Sequence, residues 1–394
     1  MGVNNVVNRG IGYARDRPRA AVVAAFGGYL LFDLLLKIAG VDLGPIGGAI
    51  PATRVVGYLW NGLVIGLVIG LAGIGLSLTY SILNFANFAH GDYLTAGAFS
   101  GWAVTYIIAG LGGAGRIGQT ALYLLLGIGS YRLESADLVS LVLLRTPPAE
   151  AGANIWLSPV GVVVGLVVAV LATVLVALAL DRVVYKPMRG QSSISLLIAS
   201  IGVAFALRYF VAFVFGNSRR IVTSTTKLPS VSIGGAVINA HEVSLVVAAV
   251  VLMVGAHLLL QRTKLGKAMR AMADNRDLAQ ITGIPTERVI RWTWMLGAGL
   301  TGAAGFLLVL SQSGLGFTSG WRLLLLIFAA VIMGGIGSVY GAIAGGLVIG
   351  LASRLSLVWL QGGFASFARP TAFALMILIL LFRPSGIFGG VKTA

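Results

Sequence analysis

The chain has 394 residues, 58% of them hydrophobic and only 10% charged, with a net charge of +16 and no cysteine. Soluble domains carry about 25% charged residues, so an ordinary soluble domain is excluded, as are disulfides, thiol nucleophiles and Cys-ligated metals. The positive charge would suit a nucleic-acid partner, but much of it lies in short loops beside apolar runs, where the positive-inside rule puts it in a membrane protein.

A hydrocarbon core about 30 Å thick is crossed by roughly 20 apolar residues in a helix. The chain holds about ten such runs, which predict an all-α, polytopic membrane protein of about ten transmembrane helices with broken or re-entrant segments. The first, 20–38, follows a polar segment with Arg9, Arg15, Arg17 and Arg19. It is long for a signal-peptide core, contains Asp33 and Lys37, and shows no small-residue cleavage site before Val41, so it reads as a retained helix. Residues 1–56 are then an N-terminal tail plus an extra helix. The next spans fall at 57–80, 92–110, 159–181, 194–215, 243–261, 292–312, 322–337, 340–360 and 370–383, the eighth and tenth short enough to predict broken or tilted helices. The insert 111–158 includes ALYLLLGIG, too short to span, and the amphipathic ADLVSLVLLR; together they predict a surface-lying helix pair. Residues 389–394 form a tail. Basic residues concentrate at 1–19, in Arg182, Lys186 and Arg189, and in the loop 262–291, which places both termini in the cytoplasm and the insert outside.

Three stretches break the apolar pattern. In LNFANFAHGDYLTAGAF (83–99), Asn84, Asn87, His90 and Asp92 interrupt the run between the second and third spans. Polar, helix-breaking sequence at that depth is tolerated only inside protein or beside water, so it reads either as a re-entrant segment lining a pathway or as a turn whose Asn and Asp cap helices. Between the sixth and seventh spans, Gln261–Arg291 holds seven basic residues and three acids. Its composition predicts one helix over Ala268–Thr282, ended by Gly283 with Pro285 beyond. The series Asp277, Leu278, Ala279 and Gly283, preceded by Ala273, predicts a short helix whose exposed Leu and Ala face packs into a groove of a partner; the alternative is a solvated basic loop. In GGIGSVYGAIAGGLVIG (334–350), Gly341/Gly345 and Gly346/Gly350 repeat the four-residue spacing of Gly62, Gly66 and Gly70, suited to close helix crossing. Gly334–Gly337, with Gly335 and Gly337, predicts a flexible break mirroring 84–91, as in a weak internal duplication.

No nucleotide-binding GxxxxGK[ST], HExxH or GxSxG motif is present, and no metal-ligand spacing joins His90, His241 and His257. The ionisable residues deep in spans are Arg208 and Arg354, with no acid expected to face either. That argues against a proton relay and against a tight site for a zwitterionic solute in the chain itself.

Taken in order, LTYSILNFANFAHGDYLTAGAF, DRVVYKPMRG, the loop 262–291 and MGGIGSVYGAIAGGLVIG resemble the permease subunit of branched-chain amino-acid ABC importers, of the LivH type, over roughly residues 57–388. The resemblance implies the ten-helix fold shared with ribose-type importers and a non-catalytic transmembrane subunit in a prokaryotic plasma membrane, without a cofactor. It implies as partners a second, LivM-like permease subunit, two cytoplasmic ATPase subunits and an extracytoplasmic solute-binding protein. Asp277–Gly283 would match the Glu-Ala-Ala-x-x-x-Gly coupling motif, with Asp for Glu and Leu278 for Ala, and Asp92 stands where similar sequences often have Glu. Asn84, Asn87, His90, Asp92, Gly335 and Gly337 become candidates for the translocation path. The alternative is a stand-alone channel or secondary carrier for a small polar solute such as urea or an amide, which would need no ATPase dock.

Overall fold

A computed structural model of the chain describes residues 18–44, 46–112, 155, 158–221, 229–234, 236–312 and 314–389. The expected surface helices of the insert, at 121–129 and 136–145, lie outside these, as do the two tails except for Pro18, Arg19 and Gly389. The helices are α1 (Pro18–Ala39), α2 (Ala52–Leu83), α3 (His90–Gly112), α4 (Pro159–Leu180), α5 (Ser193–Phe215), α6 (Ala240–Arg262), α7 (Lys264–Asp274), α8 (Arg276–Ile281), α9 (Thr286–Gln312), α10 (Ser319–Gly334), α11 (Val339–Leu355) and α12 (Ala368–Phe382). The end of α4 widens into a π turn over Asp181–Tyr185. Among the described residues, strands are a hairpin of β2 (Ser230–Ile233) and β3 (Ala236–Asn239) and the short antiparallel pair β1 (Arg220–Ile221) and β4 (Gly314–Leu315).

Seven helical stretches among the described residues are long and apolar enough to cross a membrane, so the chain is a multi-pass membrane protein. Helix α10, with 16 residues, is apolar but short, and α12 reaches spanning length only with the 3-10 turn Gly362–Phe367 before it. Helices α2 and α9 are almost wholly buried, whereas α4, α6 and α12 leave most of their apolar surface uncovered. In water that exposure would be prohibitive; in lipid it is the expected outer surface of a bundle.

Glycine sets the helix spacing. Helices α2 and α11 run antiparallel with Gly62, Gly66 and Gly70 against Gly346, Gly350 and Leu351, and a Cβ on Gly346 would overlap the backbone of Gly70. A second contact joins Gly97 and Gly101 of α3 to Gly165 and Thr173 of α4 and Gly302 of α9. Lipid offers no hydrophobic drive for helix association, so these close backbone approaches carry the packing. Gly346→Val is therefore expected to lower the thermal midpoint in detergent, with an overpacking cost of about 1–3 kcal/mol. Gly202→Val, placed where a side chain meets open space, should leave it nearly unchanged; equal midpoints for the two variants would refute the packing role.

The N-terminal helix is fastened by one buried carboxylate. Asp33 accepts hydrogen bonds from Gly47 N (2.6 Å) and Trp359 Nε1 (2.7 Å), and Lys37 Nζ lies 3.0 Å from its Oδ2. Both charges that interrupt the first apolar run are thus neutralised against each other, and Trp359 ties α1 to the end of α11.

The single helix expected over Ala268–Thr282 is two. Asn275 takes an extended conformation between α7 and α8, and its side chain caps α8 by accepting from Leu278 N at 2.9 Å. Asn competes with helical hydrogen bonding through its own side chain, which makes it a poor interior residue and a good N-cap.

Candidate functional site

Helix α2 stops where Asn84 enters the left-handed region (φ 54°, ψ 34°). The chain then folds back into the bundle: His90, the first residue of α3, reaches Ala72 O, about three turns or some 18 Å before the end of α2. His90 Nε2 is 2.9 Å from that carbonyl and 3.1 Å from Thr301 Oγ1 of α9. A carbonyl only accepts, so Nε2 carries the proton. Asn87 caps the return, its Oδ1 accepting from Ala89 N at 3.0 Å and Tyr185 OH at 3.4 Å, while Phe88 N donates to Ser200 Oγ of α5 at 3.0 Å. The Asn87 Nδ2 is buried beside the Tyr93 hydroxyl without a bond in hydrogen-bonding geometry. The segment 84–89 is thus both a re-entrant piece and a pair of Asn caps. Asn84 is exposed; Asn87, His90 and Asp92 are buried.

Asp92 corrects an expectation. Arg208 was expected to lack an acidic partner, yet its guanidinium makes a two-point pair with Asp92, Nε to Oδ1 at 3.0 Å and Nη2 to Oδ2 at 2.9 Å, with both residues buried. The guanidinium also lies 4.4 Å from the ring centroid of Trp321 in the first turn of α10. Helices α3 and α10 begin side by side there: Gly91 and Gly320 pack backbone to backbone, and Gly320 N donates to Thr95 Oγ1 at 3.0 Å. Two helix N-termini, each with partial positive charge, and one Arg converge on a single carboxylate. Arg354 forms no ion pair among the described residues.

The second glycine break packs on α2. Gly335 and Gly337 have φ of 104° and 86°, which side-chain-bearing residues avoid, and Gly337 N donates to Ser77 Oγ at 3.0 Å. The chain after α12 returns to this turn, where Ile387 N and Phe388 N donate to the carbonyls of Met333 and Gly334 (2.8 and 2.9 Å). Two of the carbonyls that α10 leaves free at its C-terminus are satisfied in this way.

In the charged loop, Ala279 is 3% exposed and belongs to the main core, contrary to the expected exposed alanine. The exposed apolar side chains are Leu278 at 58% and Ile281 at 83%, three residues apart on one face of α8. Asp277 is exposed and Ala273 half-buried against the core. Gly283 (φ 85°) ends α8 as predicted; Ile284 N bonds back to Ala279 O at 3.0 Å, five residues earlier. Ile281 escaped the sequence reading because the orientation of α8 depends on the break at Asn275. Also missed was a brace beside the loop. Arg189 pairs with Asp181 at the end of α4 (2.7 Å) and with Glu287 at the start of α9 (2.6 Å). Burial works against the Arg189 charge, but the two carboxylates outweigh it and raise its pKa. Asp181 and Arg189 both lie in DRVVYKPMRG, so the signal was present without its partner.

Residues 58–382 match the family described as branched-chain amino acid transport system / permease component. Among curated relatives, the chain is 29% identical over 341 residues to the high-affinity branched-chain amino acid transport system permease protein BraD of Pseudomonas aeruginosa, covering 84% of this chain and 94% of that one. It is 28% identical over 347 residues to the corresponding LivH protein of Escherichia coli K12, with the same coverages. A probable LivH of Methanocaldococcus jannaschii is 29% identical over 324 residues, covering 81% of this chain and 88% of that one. A family match across most of the spans, on a multi-pass helical bundle with a braced polar loop, places this chain in the family of branched-chain amino acid transport system permease components.

Proposed function

We propose that this chain is the transmembrane subunit of an ABC importer that admits branched-chain or related small amino acids. It does no chemistry itself: ATPase subunits on the cytoplasmic side hydrolyse ATP, a LivM-like permease completes the pore, and an external solute-binding protein delivers the solute. The observation that carries this reading beyond the family match is the exposed Leu278–Ile281 face on a loop rich in charge, next to the Arg189–Glu287 pair. A carrier working alone has no use for an apolar knob in water, whereas a docking partner does.

On this reading the permease domain is 57–388, the loop 262–291 and both termini are cytoplasmic, and the protein resides in a prokaryotic plasma membrane. Ala273, Asp277, Leu278, Ala279 and Gly283 form the coupling element: Leu278, with Ile281, touches the ATPase, and Ala279 and Gly283 shape the helix that presents them. Asn84 faces the path; Asn87, His90, Asp92, Gly335 and Gly337 hold the two breaks that shape it. The test is uptake of labelled leucine into liposomes holding the chain with the permease, ATPase and binding protein encoded beside it. Uptake should require ATP and every component. ATP-independent uptake by the isolated chain would establish the carrier reading in its place.

A further inference from the structure

Arg354 lies in the last turn of α11, half-buried, and its side chain makes no hydrogen bond or ion pair among the described residues. Arg369 stands in the first turn of α12, which packs against α11, and its exposed side chain also makes no hydrogen bond or ion pair among the described residues, while its charge acts on Arg354. Among the described residues the other half-buried or buried cations meet acceptors or acids: Lys37 has Asp33, Arg189 has Asp181 and Glu287, Arg208 has Asp92, Arg270 donates to Leu260 O and Gln261 Oε1, and Arg276 acts on Glu287. Two neighbouring guanidinium groups, one of them partly removed from water, call for an anion. The N-terminus of the 15-residue α12 adds partial positive charge at the same place.

The surroundings select the class of anion. The linker between the two helices carries Phe364 and Phe367, exposed at 68% and 56%. Below them α12 presents an uncovered apolar face, including Ile377 and Leu381. Arg at a helix end directly above exposed apolar side chains suits a membrane interface, where its stem can lie along apolar surface and its charged head stays in the polar layer. The site lies at the end of the bundle opposite the charged loop, because α11 starts against the last turns of α2 and ends away from them.

We propose that Arg354 and Arg369 bind the phosphate of an anionic phospholipid at the non-cytoplasmic interface, its acyl chains running down the bare face of α12. Arg supplies a planar fork that meets two phosphate oxygens at once, and the exposed helix below supplies what a free phosphate cannot use.

The test uses the full-length chain in detergent and native mass spectrometry, with phosphatidylglycerol, phosphatidylcholine and glycerol phosphate as probes. Phosphatidylglycerol should be retained in preference to phosphatidylcholine. In Arg354→Gln/Arg369→Gln its affinity should fall about tenfold to thirtyfold, from roughly 1 kcal/mol per basic residue. Arg354→Lys/Arg369→Lys should recover part of the binding, and Arg288→Gln/Arg291→Gln, two exposed positions at the other end, should bind as the wild type. Equal retention of phosphatidylcholine, or undiminished phosphatidylglycerol binding by the Gln pair, overturns the proposal. Glycerol phosphate displacing the lipid at equal concentration overturns the lipid assignment in favour of a free anion. A Gln pair that loses self-association but keeps its lipid assigns the arginines to a protein contact.

Discussion

Asp92→Ala is expected to destabilise the protein by about 3–5 kcal/mol, the cost of leaving a buried charge without its partner. Arg208 would then sit 6% exposed, facing two helix N-termini that repel it. Arg208→Met should cost a similar amount, by stranding the Asp92 carboxylate. The double variant Asp92→Leu/Arg208→Met removes both charges and should be less damaged than either single one, since an apolar pair of matching bulk often replaces a buried ion pair without loss. Thermal unfolding of the four proteins in one detergent closes the cycle. Single variants within about 1 kcal/mol of the wild type would show that the pair is wetter and weaker than its geometry implies. The pair joins the first turns of α3 and α10 through Trp321, so a stable double variant that no longer transports would place its role in positioning the two breaks.

This pair also shows where a sequence reading stops. Asp92 and Arg208 are 116 residues apart, and no local period links an acid at the start of one helix to a cation far along another. The membrane class and most spans were legible because burial in lipid needs long apolar runs, and those are local. The glycine faces of α2 and α11 were legible for the same reason, since four-residue spacing aligns small residues on one face, but that the two faces meet each other was not. The 84–91 segment was legible as a break, since Asn84, Asn87, His90 and Asp92 are costly in lipid, but its direction was not. Only the bond from His90 to Ala72 shows that it turns inward. The loop erred through a single residue. Asn275 can be read as an N-cap, but composition alone ran the helix through it and rotated Ala279 outward. Once the helix breaks, Ala279 turns into the core, and Leu278 and Ile281 face out.

That rotation gives the second expected result. Leu278→Asp/Ile281→Asp should abolish ATP-driven uptake while leaving the level of the protein in the membrane and its thermal midpoint unchanged. Both side chains project outward and hold nothing in place, so the fold loses little. A docking partner loses an apolar anchor and gains two charges beside Asp277, and central anchors cost about 2 kcal/mol or more each when removed. Two of them amount to a loss of affinity of roughly 800-fold, enough to dissociate most complexes. Ala279→Glu should behave differently. It puts a carboxylate into packed core, so the midpoint should fall and uptake should fail as a consequence of lost structure. Copurification of the ATPase subunits separates the two: absent from the Asp pair although the permease is intact, and lost from Ala279→Glu only as the permease itself unfolds. If the Asp pair retains bound ATPase and normal uptake, the α8 face is not the dock. The knob would then be an ordinary exposed apolar pair, and coupling would have to pass through the Asp181–Arg189–Glu287 brace beside it.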